Sequence, residues 1–135
     1  MLGLARVLLV HGELAPRLAL QTILQAGGYT VDAAASTSEA LAKLDESQYD
    51  LVLSDAALGS RAACRRILAY ARVKDYHPAT AFIKSSHPTV QRRTRRRGHE
   101  VSIYTENLPG LLEEVAELIG VRAMRRSRPA LRAAV

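Results

Sequence analysis

The segment that most constrains the fold is DLVLSD at residues 50–55, in which four apolar or small residues lie between two acids. A short run of this kind predicts a strand buried on both faces of a parallel sheet. Asp55 would then lie at the C-terminal edge of that sheet. Open α/β sheets place their ligand crevice at this edge, so Asp55 is the first candidate functional residue.

The rest of the chain alternates between short aliphatic runs and longer segments with helical apolar spacing. The predicted strands are Arg6–Val10, Tyr29–Ala34, Tyr49–Ser54, Thr80–Ile83 and Val101–Tyr104. The predicted helices are Leu14–Ala26, Thr37–Asp45, Ser60–Val73, Thr89–Arg97 and Leu108–Ile119. In the first helix, the apolar stripe is predicted to contain Leu14, Leu18, Ile23 and Leu24.

Five strands that alternate with five helices predict an α/β fold with a five-stranded parallel sheet and helices on both faces. Right-handed crossovers restrict the topology further. We expect a flavodoxin-like, doubly wound (βα)5 fold with strand order 2-1-3-4-5, which brings the ends of strands 1 and 3 together.

The length of 135 residues, with 48% hydrophobic and 24% charged residues, is typical of one globular domain. We expect this domain at residues 1–120 and a basic tail or linker at 121–135. No apolar run approaches the roughly 20 residues needed to span a membrane, and no signal peptide is recognised. Cys64 is the only cysteine. We therefore expect a cytoplasmic protein without an intrachain disulfide.

Four segments carry a family resemblance: Arg6–Val10, Ala26–Val31, Glu39–Leu41 and Tyr49–Asp55. Together they resemble the receiver domain of bacterial two-component response regulators, over roughly residues 5–119. The resemblance implies a non-enzymatic signalling module. It also implies that Asp55 stands where the family accepts a phosphoryl group from a histidine kinase.

The metal site that the resemblance implies is altered. In the family, a pair of acids after strand 1 holds Mg²⁺, but here those positions are His11 and Gly12, and only the following Glu13 has a carboxylate. Imidazole is a poor ligand for Mg²⁺, which prefers oxygen. We therefore expect no cofactor, and Mg²⁺ only if Glu13 and Asp55 suffice.

Other family positions are also replaced. The lysine after strand 5 falls at Thr105 or Tyr104, depending on how the residues are counted. The switch Thr or Ser after strand 4 falls at Lys84 or Ser85. If Lys84 takes the switch position, its ammonium could reach Asp55 and replace the missing cation, whereas otherwise it would point into solvent.

Two candidate residues keep alternative interpretations. Asp55 is either a residual phosphoacceptor or an inherited carboxylate at a strand end, and we favour the second. His11 could be a phosphorelay histidine or a metal ligand with Glu13 and Asp55. One histidine without a second at ligand spacing favours a simpler role, a polar residue that caps the edge of strand 1.

The net charge of +6 comes largely from late arginines. One cluster contains Arg92, Arg93, Arg95, Arg96 and Arg97. It could dock an acidic protein, bind the phosphates of nucleic acid, or form a solvated helix. We favour protein docking, because the family resemblance makes helix 4, strand 5 and helix 5 the output face. With one phenylalanine and no tryptophan, base stacking has little support.

The leading hypothesis is an atypical receiver module in phosphorelay signalling that acts by protein contact, with phosphorylation lost or weakened. Its partner would be a histidine kinase or a downstream effector, or a second copy bound through the face of helix 4 and helix 5. The first alternative is a single-domain response regulator that is phosphorylated at Asp55. The second is a basic accessory protein that binds nucleic acid, a partner that we do not expect.

Overall fold

Short runs of aliphatic residues form the strands, and amphipathic segments between them form the helices. A computed structural model describes residues 5–55, 61–84, 95–97, 100–104 and 108–134. Within these residues the elements are β1 (Arg6–Val10), α1 (Leu14–Ala26), β2 (Thr30–Ala34), α2 (Thr37–Glu46), β3 (Leu51–Asp55), α3 (Arg61–Arg72), β4 (Ala79–Lys84), β5 (Arg95–Arg97), β6 (Glu100–Tyr104) and α4 (Leu108–Ala134).

The strands form one sheet with the order β2-β1-β3-β4-β6-β5. Every pair from β2 to β6 is parallel, and β5 pairs with β6 antiparallel. The predicted fifth strand is β6, so the five parallel strands have the predicted order 2-1-3-4-5. The predicted flavodoxin-like doubly wound fold is therefore confirmed.

Both faces of the sheet are covered, because side chains along a strand alternate between the two faces. On one face, Leu8 and Val52 pack with buried residues of α2 and α3. On the other face, Leu9 and Leu53 pack with buried residues of α1 and α4. Strands that are apolar along their whole length are typical of such a doubly covered parallel sheet.

The apolar stripe of α1 differs from the predicted one. Leu20 and Leu24 are buried against the sheet, whereas Leu14 and Leu18 are 61% and 51% exposed. The helix has apolar residues around most of its circumference, so spacing alone did not determine which side faces inward. The prediction that Leu14 and Leu18 belong to the buried stripe is wrong.

Two late segments also differ from the predicted elements. Arg95–Arg97, expected at the end of a fourth helix over Thr89–Arg97, form strand β5, and residues 89–94 lie outside the described part of the chain. The described residues contain four helices. The last helix was predicted to end at Ile119, but α4 continues to Ala134.

The helix passes through Gly120, which directly follows the predicted end at Ile119. A Cβ at Gly120 would meet no neighbouring atom within 4 Å, so no other segment crowds the helix at this position. That residues 121–135 act as a tail or linker stays a prediction. Among the helices that the structure describes, none is long and apolar enough to cross a membrane.

Candidate functional site

Three parallel strands bring candidate residues to one edge of the sheet. Asp55 and Lys84 are the last residues of β3 and β4, and His11 directly follows β1. The register pairs Val10 with Ser54, so His11 lies level with Asp55. The switch point between β1 and β3, where such folds bind their ligands, is therefore lined by an imidazole and a carboxylate.

His11 and Asp55 face each other across this edge. Nε2 of His11 lies 3.7 Å from Oδ2 of Asp55, and the two side chains are only 11% and 17% exposed. The position of His11 is fixed by its backbone, since its N–H donates to the carbonyl of Ala34 at 3.0 Å. Its own carbonyl accepts a hydrogen bond from Nη1 of Arg17 at 3.0 Å.

A second contact of His11 assigns the tautomer of its ring. The backbone N–H of Glu13 donates to Nδ1 of His11 at 3.1 Å, so Nδ1 uses its lone pair as an acceptor. In a neutral imidazole one nitrogen accepts and the other carries the proton. The proton therefore belongs on Nε2, which places an N–H donor opposite the Asp55 carboxylate.

Of the three residues that follow β1, two offer no ligand to a magnesium ion. Nε2 of His11 carries a proton and has no lone pair for a metal, and Gly12 has no side chain. Among the residues that the structure describes, no group of three His, Cys, Asp or Glu side chains could hold a metal ion. Whether Glu13 and Asp55 together bind Mg²⁺ stays a prediction.

One further candidate position, Lys84, ends the strand next to Asp55. Lys84 is partly buried and pairs in register with Tyr104, the last residue of β6. The alternative positions Ser85 and Thr105 lie outside the described residues. The register thus aligns the two strand ends at Lys84 and Tyr104, while a contact between the Lys84 ammonium and Asp55 stays a prediction.

The arginine cluster is only partly described. The backbones of Arg95, Arg96 and Arg97 form the edge strand β5, and Arg92 and Arg93 lie outside the described residues. The cluster therefore does not form the single helical surface that we expected. Its role in partner binding stays a prediction.

Sequence reasoning missed one surface, the outer side of α1. The exposed positions of this helix carry no charged residue; they are Leu14, Ala15, Leu18, Ala19, Thr22, Gln25 and Ala26. Every other helix has charged residues at exposed positions, such as Glu46 in α2 and Arg65 in α3. We call these seven residues the α1 face. The lack of charge between Leu18 and Ala26 was visible in the sequence and could have revealed it.

Comparison with solved structures identifies proteins of the same fold. A CheY-like response regulator receiver domain from Methanospirillum hungatei superposes with a TM-score of 0.73 at 21% identity, covering 91% of this chain and 99% of that chain. TrrA from Thermotoga maritima, solved with Mg²⁺-BeF, has a TM-score of 0.68 at 25% identity, with 85% and 99% covered. TrrA bound to the histidine kinase ThkA has a TM-score of 0.67 at 27% identity, with 85% and 98% covered.

The fold is that of CheY-like response regulator receiver domains, and Asp55 lies at the carboxyl end of its third strand. The predicted resemblance to receiver domains is therefore confirmed, and this fold is that of a signalling module. No protein-family model matches the sequence, and no curated protein matches it significantly.

Proposed function

We propose that this chain is an atypical receiver module that acts by protein contact, with phosphoryl transfer to Asp55 lost or much weakened. The observation that carries this proposal is the contact between His11 and Asp55. An imidazole N–H faces the carboxylate at the position where the family resemblance expects acids and a metal ion.

The replacement of an acid by His11 affects phosphoryl transfer through the charge at the site. Phosphoryl transfer is catalysed largely by positioning and by positive groups that stabilise charge on the phosphoryl oxygens. A neutral imidazole supplies one hydrogen-bond donor in place of a divalent cation. Lys84 is the nearby candidate for a compensating charge, since it ends the strand next to Asp55.

The α1 face supports a role in protein contact. Leu14 begins α1 three residues after His11, so an uncharged and partly apolar surface starts beside the site. Contiguous exposed apolar surface on a soluble domain is typical of an interaction site. The TrrA–ThkA complex indicates the kind of partner, a histidine kinase, and a downstream effector is the alternative.

Restoring the acidic pair tests the lost phosphoryl transfer. The wild type, His11→Asp with Gly12→Asp, and this double variant combined with Asp55→Ala are incubated with Mg²⁺ and a small acyl phosphate. We expect intact mass to show a phosphoryl adduct only in the double variant, because two carboxylates restore oxygen ligands for the metal. Equally rapid phosphorylation of the wild type would overturn the proposal and favour a working response regulator.

Binding to the helical domain of a histidine kinase from the same organism tests the contact role. Leu18→Lys places a charge on the α1 face and should weaken binding at least tenfold. Val73→Lys is the matched control, because Val73 is also apolar and 78% exposed but lies after α3. Asp55→Ala should bind like the wild type, and binding that depends strongly on Asp55 would contradict the proposal.

A further inference from the structure

Asp50 ties together the amino ends of the three strands that lead to the candidate site. Its N–H donates to the carbonyl of Arg6 at 2.8 Å, and its carbonyl accepts from the N–H of Ala79 at 2.9 Å. Its Oδ2 also accepts from the N–H of Arg6 at 2.7 Å. Arg6 begins β1, Ala79 begins β4, and Asp50 directly precedes β3.

Arg122 of α4 joins the same point. Its Nη1 donates to Oδ1 of Asp50 at 2.6 Å, its Nη2 to the carbonyl of Tyr76 at 2.6 Å, and its Nε to the carbonyl of His77 at 2.9 Å. The arginine side chain is only 11% exposed. We call Asp50, Arg122 and the two carbonyls the basal clasp. The planar guanidinium has donors in a fixed geometry, so these bonds also orient the helix.

The loop before β4 has an unusual backbone conformation at one of the residues whose carbonyls accept from Arg122. His77 has a φ of 43°, in the left-handed region that is costly for a residue with a side chain. It also precedes Pro78, which disfavours helical backbone at the preceding residue. Such a conformation persists only when surrounding contacts hold it, and the basal clasp supplies two of these contacts.

The basal clasp and the candidate site lie at opposite ends of the same strands. β1, β3 and β4 begin at the clasp and lead to His11, Asp55 and Lys84. At about 3.3 Å per residue, the two ends are separated by roughly 15 to 20 Å. Rigid secondary elements that are hydrogen-bonded to each other can carry coupling between distant sites, so a shift of β3 against β4 at one end would change their spacing at the other.

We propose that the basal clasp is a conformational device that couples the candidate site to the C-terminal half of α4. Its two states are Arg122 bound to Asp50 and the two carbonyls, and Arg122 released. A change at Asp55 that shifts β3 against β4 alters the geometry that the guanidinium spans. The change in this geometry alters the balance between the bound and released states of Arg122, and with it the hydrogen-exchange protection of residues 118–124. This inference takes one point from the proposed function, namely that conformational changes begin at the sheet edge that carries Asp55.

Hydrogen exchange of the full chain, followed by mass spectrometry, tests the coupling. Arg122→Met should raise exchange in residues 76–79 and 118–124 at least tenfold, and Arg125→Met, an exposed position on the same helix, should not. Asp55→Asn should change exchange in residues 118–124 at least threefold in the wild type but not in Arg122→Met. If Asp55→Asn has the same effect there in both backgrounds, or none in either, the proposal is overturned.

A further variant keeps the test decisive if Arg122→Met fails to fold. Arg122→Lys retains the charge but loses the planar fork, and it should reduce the response to Asp55→Asn at least twofold. An undiminished response in Arg122→Lys would also overturn the proposal. The experiment uses no phosphodonor or partner, so its outcome is independent of whether Asp55 accepts phosphate.

Discussion

The two ends of the same three strands have different kinds of polar contact. At the amino end, the basal clasp joins strands and helix through hydrogen bonds of 2.6 to 2.9 Å. At the carboxyl end, His11 and Asp55 face each other at 3.7 Å, beyond the usual N–H···O range of 2.7–3.2 Å. While Arg122 is bound, the amino end is held in one geometry, whereas the carboxyl end holds His11 and Asp55 near each other without a hydrogen bond of normal length.

This difference gives the two ends of one sheet unequal contributions to stability. Three hydrogen bonds from a largely buried guanidinium contribute to folding, because removing one partner leaves charge without compensation. A looser pair at the ligand edge contributes less to folding but can rearrange when a partner or ion arrives. Substitutions at the two ends should therefore have unequal effects on the free energy of unfolding.

The largest loss of stability is expected for Asp50→Ala. It removes the charge opposite Arg122 and the acceptor of the Arg6 N–H. We expect a loss of about 2–4 kcal/mol in the free energy of unfolding, below the figure for a fully buried pair because Asp50 is 33% exposed. Urea titration measures it. Asp45→Ala, which breaks a surface pair with Lys74, is the control, and equal losses for both would refute the idea of a stabilising amino end.

A smaller loss is expected for Arg122→Lys. The lysine keeps a positive charge for Asp50 but cannot donate to both carbonyls with the geometry of the fork. We expect a loss of about 1–2 kcal/mol, measured by the same titration. Arg125→Lys on the exposed side of α4 should be neutral. An unchanged Arg122→Lys would mean that charge alone accounts for the basal clasp.

Tyr49, next to Asp50, should make the amino end sensitive to alkaline pH. Burial, followed by the hydrogen bond to Asp32 at 2.7 Å, raises the pKa of Tyr49 above its ordinary value of 10.0. The folded state then holds this proton more tightly than the unfolded state, so its contribution is complete below about pH 10 and is lost as pH rises further.

Tyr49→Phe should cost about 1 kcal/mol at neutral pH, because one hydrogen bond to Asp32 is lost. Its stability should also decline less steeply above pH 10 than that of the wild type. Burial raises the pKa of Tyr76 as well, so some alkaline decline should remain in the variant. Thermal unfolding between pH 8 and pH 11 checks both statements. Curves that coincide for the two proteins would contradict both, and curves that are offset but parallel would contradict the second.

The smallest effect is expected for His11→Asn at the carboxyl end. The asparagine Oδ1 can replace Nδ1 as acceptor for the Glu13 N–H, so the variant removes mainly the group that faces Asp55. We expect a change below about 1 kcal/mol in the free energy of unfolding. A loss as large as that of Asp50→Ala would erase the contrast between the two ends.

The sequence predicted the parallel sheet well because buried strands are visible as short apolar runs. It also predicted Asp55 at the ligand edge, since parallel strands end together. The pairing of His11 with Asp55 could be anticipated from topology. The tautomer could not, because it depends on the position of the Glu13 N–H.

Other elements depended on contacts that a linear pattern does not contain. Arg95–Arg97 form a strand because β6 offers hydrogen bonds, although the residues themselves have no strand preference. The continuation of α4 past Gly120 is accompanied by the binding of Arg122 to two segments that lie far away in sequence, Asp50 and the adjacent pair Tyr76 and His77. Local stop signals predict helix ends only where tertiary contacts do not override them.

The short strand β5 also has a consequence for colloidal behaviour. An open sheet edge can recruit a strand from another molecule and begin aggregation, and short, positively charged edge strands discourage this. Among the residues that the structure describes, the sheet ends beyond β6 in the strand β5, which has three residues and the sequence Arg-Arg-Arg. A strand this short and this basic disfavours growth of the sheet from molecule to molecule.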